Sequence, residues 1–148
     1  SMNTGTAEKP LKVVLDTNIV VSALIYGGKP EQIYNLVLNK QIFAVTSSIL
    51  LAELTEILIK KFNFDLDRIK QLEKITKRNF QTIHPKKTIK LLLDEDDNRV
   101  LEAAIEGNCD YIVTGDKELL KLGLYKDIKI VTADRFFNIL SVYSTTKF

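Results

Sequence analysis

The sequence predicts an α/β fold, a three-layer α/β/α sandwich around a mainly parallel central sheet. Short apolar runs rich in β-branched residues, such as Val13-Val14-Leu15, are typical of strands covered on both faces. These runs alternate with longer segments whose apolar residues recur at helical spacing. No internal repeat or linker interrupts the 148 residues, so we expect one domain.

Residues with known preferences for helix ends define the first elements. Gly27-Gly28 ends the helix that follows the first strand, and Pro30 suits the first turn of the next helix. Residues 46–48, Thr-Ser-Ser, offer N-caps to a third helix. In chain order the pattern predicts a strand over 13–15, helices over 19–25 and from 30, a strand over 42–45, and a helix from 48 to about 62.

The second half contains one ambiguous stretch, residues 80–93, in which Pro85 ends an element and 88–93 fit a strand or a helix equally. A helix capped by Asp65 or Asp67 precedes it. After it the pattern predicts a helix over 97–107, a strand over 111–114, a short helix after 116, a strand over 128–131, and a last helix from about 133 to 140.

The chain ends and the single cysteine suggest where the protein resides. We expect a flexible leader with a tag remnant over residues 1–10, the domain over 11–143 and a tail over 144–148. Cys109 cannot form an internal disulfide, which suits a reducing cytosol. No signal-peptide pattern or apolar run of membrane-spanning length is present. The sequence therefore predicts a soluble, cytoplasmic protein with no membrane partner.

The charge is unevenly distributed, although its total is only +2. Residues 60–90 contain ten Lys or Arg and three acids, a net charge of +7, whereas residues 91–127 contain ten acids and four basic residues, a net charge of −6. Such a split suggests a polyanion partner beside a cation site. A solvated helix face next to acidic loops is the alternative interpretation.

Two acids follow predicted strands directly. Asp16 comes after the first strand, and Asp116 comes just after the strand over 111–114. Ligands of parallel sheets collect at the carboxyl ends of the strands. These two side chains are therefore expected at the end of the sheet where chemistry takes place.

Two further acids are placed by helical periodicity. Asp97 lies along the middle of the apolar side of its helix, so its side chain should face inward. Glu53 shares a stripe with Ile49 and Ile57 at the border of the apolar face, whereas Glu56 points further toward water. Glu53 is thus the acid of that helix that can reach the edge of a site.

Each acid also has a purely structural interpretation. Asp16, Asp97 and Asp116 could cap helices, and Glu53 could be an ordinary boundary residue. Capping does not explain why the four should converge at one end of the sheet. Two carboxylates about 4 Å apart repel by roughly 4 kcal/mol at an effective dielectric near 20. Such a cluster needs a cation or bound protons.

The donor atoms indicate which cation is expected. Carboxylate oxygens without cysteine or histidine suit Mg²⁺ or Mn²⁺ better than zinc. This donor set points to metal-assisted hydrolysis of phosphodiesters. The only histidine, His84, lies beside Pro85 in the basic segment and is expected in a turn or on the surface. The chain has no Gly-rich phosphate-binding loop, since Gly27-Gly28 lacks the spacing.

Four motifs in order carry a family resemblance: LDTN, the helix with Ser47 and Glu53 six residues apart, DEDDNRVLEAA and DYIVTGDKELL. Together they resemble the PIN domain, in particular the bacterial and archaeal VapC-like branch that contains the toxins of toxin-antitoxin pairs. The resemblance covers residues 12–140. It implies a PIN-like parallel sheet flanked by helices and a Mg²⁺- or Mn²⁺-dependent ribonuclease that cleaves single-stranded RNA.

The resemblance also assigns roles to individual residues. It implies that Asp16, Glu53, Asp97 and Asp116 are the catalytic, metal-binding acids. Within DEDDN it selects Asp97, the acid directly before Asn, over Asp94 and Asp96, which agrees with the helical-wheel argument. The supporting residues that it implies are Asn18 and Thr114 beside the acids, with Asp94 as an outer ligand.

The implied partners are an RNA, an inhibitory antitoxin protein and a second copy of the chain. Contacts with RNA phosphates are expected from basic residues of the segment over 60–90, namely Lys60, Lys61, Arg68, Lys74, Lys77 and Arg78. Phe62, Phe64 and Phe80 are expected in the core, with stacking on bases as the alternative.

Two other functions remain open. One is a phospho-acceptor receiver domain, which also places acids at strand tips, but this chain has one acid after the first strand and Lys129 within a strand. The other is a catalytically silent PIN-fold module that binds RNA or protein, against which the four intact acids argue.

Overall fold

The computed structural model describes residues 10–146, and side chains as far as residue 142. The strands are β1 (Lys12–Leu15), β2 (Phe43–Ser47), β3 (Gln81–Ile83), β4 (Tyr111–Val113), β5 (Leu124–Tyr125) and β6 (Ile128–Val131). The helices are α1 (Thr17–Ile25), α2 (Gly28–Leu38), α3 (Ser48–Phe62), α4 (Leu66–Asn79), α5 (Glu95–Glu106), α6 (Lys117–Leu122) and α7 (Ala133–Thr146). In the described part of the chain, no helix combines the length and apolarity needed to cross a membrane.

The strands form one sheet in the order β3-β2-β1-β4-β6-β5. All neighbours are parallel except β5, which pairs antiparallel with β6. The chain moves outward from β1 to β2 and β3, then returns to β4 on the other side of β1. The crevice between the carboxyl ends of β1 and β4 is therefore the point at which such sheets bind ligands.

Alternation along the central strands divides the core into two apolar layers. Val13 and Leu15 of β1 pack on one side of the sheet, and Val14 packs on the other. The first layer takes its helical residues from α1, α2, α3, α4 and α7, and the second takes them mainly from α5 and α6. The predicted α/β/α sandwich with a mainly parallel sheet is confirmed.

The structure resolves the ambiguous stretch and extends one helix. Gln81–Ile83 is a strand, and residues 84–94 have no regular secondary structure, so the expectation of a strand or a helix over 88–93 is wrong. Strand β5 has only two residues and was not predicted, because its pairing with β6 defines it rather than its composition. Helix α7 continues to Thr146, so the predicted tail is helical in its first part. Residues 1–9 of the predicted leader and 147–148 lie outside the described residues.

Candidate metal centre

Asp16 occupies the carboxyl end of β1, where its backbone N–H donates to Val113 of β4 at 2.9 Å. It stands at the N-cap position of α1, but its side chain makes no capping hydrogen bond. Instead, its Oδ2 accepts a 2.6 Å hydrogen bond from the Thr114 hydroxyl. The side chain is 7% exposed, and this burial raises the pKa of Asp16. The carboxylate is therefore not explained by helix capping.

Asp116 follows β4, the strand beside β1. Its Oδ1 caps α6 by accepting from the backbone N–H groups of Glu118 and Leu119 at 2.9 and 3.1 Å. Its own N–H donates to the Thr114 hydroxyl at 2.9 Å. The buried Thr114 hydroxyl thus bonds both the Asp16 side chain and the Asp116 backbone, and ties the two strand ends together.

Asp94 and Asp97 bring two more carboxylates to the same place from the start of α5. Asp94 is the N-cap residue, whose Oδ1 accepts from Asp96 N at 2.9 Å. One carboxylate oxygen from each of Asp94, Asp97 and Asp116 lies within 4.8 Å of the others. We call these three residues the acid cluster. Asp94, expected only as an outer ligand, thus belongs to the same group of carboxylates as Asp97 and Asp116.

Asp97 carries the clearest sign that the cluster fits a cation. Its side chain faces inward, as its helical position predicted, and is 5% exposed. Its Oδ2 is buried and has no hydrogen-bond partner among the residues that the structure describes. Burial and the neighbouring Asp116, Asp94 and Asp16 raise the pKa of Asp97 to about 7. A buried oxygen without a donor is costly. A proton shared with Asp116 satisfies the metal-free cluster below the pKa of Asp97, and a divalent cation is the partner that suits the ionised carboxylates above it.

Glu53 lies outside the acid cluster, at the rim of the crevice that contains it. Its Oε1 accepts a 2.5 Å hydrogen bond from the Thr17 hydroxyl. The pKa of Glu53 is raised to about 7: burial is the largest cause, the Thr17 hydrogen bond opposes it, and nearby Asp96 and Asp16 add to it. Glu53 and Asp96 also line a groove of about 420 Å³ between α3 and α5.

Two residues of this rim were not found from the sequence. Thr17 was overlooked although it directly follows Asp16, because its orientation toward α3 depends on how the helices pack. Asp96 was set aside in favour of Asp97, yet it is the acid of DEDDN nearest Glu53. One step along a helix turns a side chain by about 100°, which directs Asp96 and Asp97 to different neighbours. Asn18 is exposed, and its support of Asp16 stays a prediction.

A family model described as the PIN domain matches residues 12–118, which include every residue of the acid cluster. The chain belongs to the PIN domain family. This membership removes the receiver-domain alternative. It agrees with the resemblance carried by the four sequence motifs.

Two known proteins are similar to this PIN domain. An uncharacterized protein of Methanocaldococcus jannaschii, MJ1680, is 32% identical over 117 residues, which cover 76% of this chain and 75% of that protein. A chain in the crystal structure of VapBC2 from Rickettsia felis, bound to a DNA fragment from their promoter, superposes with a TM-score of 0.59 at 19% identity. That superposition covers 81% of this PIN domain and 97% of the other chain, and it supports the fold.

The basic residues predicted to contact RNA are all exposed. They do not all lie at the end of the sheet that carries the acid cluster. Lys60 pairs with Glu56 at 2.9 Å, and the Arg68 guanidinium lies 3.7 Å from the centre of the Phe64 ring. Lys40, which precedes β2, donates to Asn79 at the end of α4. Lys77 and Arg78 therefore lie near the amino end of β2, whereas the acids lie at the carboxyl ends of the strands.

Proposed function

We propose that this PIN domain is a Mg²⁺- or Mn²⁺-dependent endoribonuclease that hydrolyses phosphodiester bonds of single-stranded RNA. The observation that carries the proposal is the buried, unpartnered Oδ2 of Asp97 amid the carboxylates of the acid cluster. Carboxylate oxygens of this kind are the ligands that Mg²⁺ and Mn²⁺ take in proteins, and a bound cation of this kind supports phosphodiester hydrolysis.

The side chains divide the work between holding the cation and orienting the acids. Asp94, Asp97 and Asp116 would hold it, with Asp16 beside them. When bound there, a divalent cation would lower the pKa of a water molecule and neutralise charge on the phosphate oxygens. The Thr114 hydroxyl holds the Asp16 side chain and the Asp116 backbone close together at the ends of β1 and β4.

Glu53 has a different part in the proposal, because Thr17 already satisfies its Oε1. A carboxylate with a pKa near 7 can accept and release a proton at neutral pH. Its position in the groove beside the acid cluster suits an attacking water that enters between α3 and α5. Glu53 is therefore proposed as the general base, and also as a ligand at the rim.

The proposed biological context is a toxin-antitoxin pair in the cytoplasm. It is supported by the motifs shared with the VapC-like branch and by the fold shared with a chain of the Rickettsia felis VapBC2 complex. An antitoxin would inhibit by covering or entering the acidic crevice, and a second copy of the chain could complete the assembly. Growth arrest on expression, relieved by Asp16→Asn and by the product of a neighbouring gene, is the expected cellular result. Equal toxicity of the Asn variant would contradict it.

The test of the enzymatic proposal is cleavage of a mixed single-stranded RNA pool in Mn²⁺, Mg²⁺ or EDTA. We expect wild type to cut with either cation and not with EDTA, and Asp16→Asn to be inactive. Asp67→Asn is the matched control, because Asp67 is an exposed acid on α4 away from the crevice. RNA binding without metal-dependent cutting, across transfer, ribosomal and messenger RNA pools, would favour a catalytically silent RNA- or protein-binding module instead.

A further inference from the structure

The chain between β3 and α5 lies against α5 without forming a strand or a helix. Backbone N–H groups outside regular structure still need acceptors when the chain packs against a protein surface. In this segment, residues 84–94, the acceptors are side chains. Its last residue is Asp94, a member of the acid cluster.

The acceptors come from one stripe of α5, at positions four residues apart. Side chains with this spacing lie above one another on the same face of a helix. From the far end toward the acids, the bonds run from Lys86 N to Glu106 Oε1 (3.1 Å), from Ile89 N to Glu102 Oε2 (2.8 Å), and from Leu91 N and Leu92 N to Asn98 Oδ1 (3.2 and 2.8 Å). We call this set the side-chain ladder.

Asn98 makes the contacts of the ladder nearest the acids. Besides accepting from two N–H groups, its Nδ2 donates to the Leu92 carbonyl at 2.9 Å. Asn98 itself is 2% exposed, and the three bonds are partly buried. Asn98 directly follows Asp97 on α5, and Leu92 comes two residues before Asp94. The amide side chain of Asn98 thus connects the first turns of α5, which include Asp97, to the chain that leads into Asp94.

Two kinds of contact hold Asp94. As the N-cap of α5 it accepts from Asp97 N and Asn98 N at its backbone carbonyl, at 3.1 and 3.4 Å, and from Asp96 N at its side chain. Its side chain and that of Leu93, which is 99% exposed, add no buried packing. Ahead of Asp94, the chain is restrained by Leu92, which packs against the core, and by the bonding of Asn98 to Leu91 and Leu92.

We propose that Asn98 is a positioning residue of the metal centre, which fixes Asp94 at cation-binding distance from Asp97 and Asp116. The inference rests on the proposed function, because it assumes that the acid cluster holds a divalent cation. Residues that orient metal ligands act on affinity through geometry, without touching the metal themselves. Loss of Asn98 should therefore weaken cation binding although all the acids remain.

The decisive measurement is Mn²⁺ affinity by titration calorimetry of the full chain, well below the unfolding temperature. Asn98→Ala should bind Mn²⁺ at least about 10-fold more weakly than wild type. Glu106→Ala is the matched control, because it removes a bond of the same kind at the far end of the ladder. Its Mn²⁺ affinity should stay within about twofold of wild type, as for independent sites.

The possible results separate this inference from the function on which it rests. If wild type binds no Mn²⁺, the proposed metal centre fails and the inference fails with it. If wild type binds and Asn98→Ala binds equally well, only the inference is overturned. Equal weakening in Asn98→Ala and Glu106→Ala would also overturn it, since that result indicates a general loss of stability.

Amide hydrogen exchange of the wild type tests the same point if Asn98→Ala does not fold. The amides of Leu91 and Leu92 should exchange slowly, and those of Lys87 and Lys90, which have no acceptor among the described residues, should exchange fast. Saturating Mn²⁺ should slow Leu91 and Leu92 further, because ligand binding stabilises the elements that build its site. Exchange of these two amides that is fast, or that Mn²⁺ does not change, would overturn the inference.

Discussion

At the scale of single residues, two threonine hydroxyls orient the acids that flank the crevice. Thr114 bonds Asp16, and Thr17 bonds Glu53. Both hydroxyls donate to carboxylate oxygens, which favours the ionised form of each acid. Burial has the opposite effect and is the larger influence on both pKa values, so both end above their ordinary range.

Replacing Asp97 should separate catalysis from RNA binding. Asp97→Asn keeps the size of the side chain but removes a charged cation ligand, so cleavage should fall by more than the ~10–100-fold typical of residues that only support a ligand. RNA affinity should change little, because phosphate contacts come from basic side chains. Cleavage rates and RNA titrations in Mn²⁺ measure both effects. Retained cleavage together with a large loss of RNA affinity would contradict the role given to Asp97.

Replacing Thr17 should shift the pH dependence of the reaction. Thr17→Val removes the hydroxyl that bonds Glu53, so the pKa of Glu53 should rise from its value of about 7. A base must be ionised to act, so activity at pH 7 should fall several-fold and recover at higher pH. Thr55→Val is the control, because that hydroxyl bonds only the Ala52 carbonyl. A pH-rate profile identical to that of wild type would argue against Glu53 as the base.

At the scale of elements, the end of α5 packs unusually close to the sheet. Gly107 ends this helix, and a Cβ placed there would lie 2.9 Å from both Cγ atoms of Val45 in β2. Val45 is 1% exposed and is held in the centre of the sheet. The absence of a side chain at Gly107 thus lets the end of α5 contact Val45 directly.

An alanine at position 107 should therefore destabilise the protein. Overpacking of a filled core costs about 1–3 kcal/mol of unfolding free energy, so Gly107→Ala should lower it by that amount. Gly115→Ala is the control, because no atom lies within 4 Å of a Cβ built there. Urea unfolding of both variants measures the difference. Equal stabilities would show that α5 can move away from β2 without cost.

At the scale of the whole molecule, three raised pKa values couple folding to pH. Asp16, Glu53 and Asp97 keep their protons to higher pH in the folded state than in the unfolded chain, and for Glu53 and Asp97 the difference extends from about pH 4 to about pH 7. The folded state then binds more protons, so the stabilisation from these groups is full below pH 4 and is lost as the pH rises toward 7.

The metal-free protein should therefore become less stable between pH 5 and pH 8. Mn²⁺ should reverse this trend, because it binds the ionised acids of the folded state. Thermal unfolding at several pH values, with Mn²⁺ or with EDTA, measures how stability changes with pH in each condition. Asp97→Asn should reduce the pH dependence in both conditions. A metal-free stability that rises over this range would contradict the raised pKa values.

The sequence by itself determined the architecture and the positions of the principal acids. Runs such as Val13-Val14-Leu15 are apolar on both sides, which requires a covered, parallel sheet, and an acid after such a run must lie at the carboxyl edge. The inward direction of Asp97 followed from the same local periodicity, because helical geometry relates neighbouring residues without reference to the rest of the fold.

Only the tertiary structure decided which acids share the centre. It placed Asp94 in the acid cluster, and it placed Glu53 against Thr17 and Asp96 at the rim. It also placed the end of α4 near the opposite edge of the sheet, and the side-chain ladder beside Asp94. These relations depend on distances between elements that are far apart in the chain. Local periodicity gives the direction of a side chain on its own element, whereas packing between elements sets those distances.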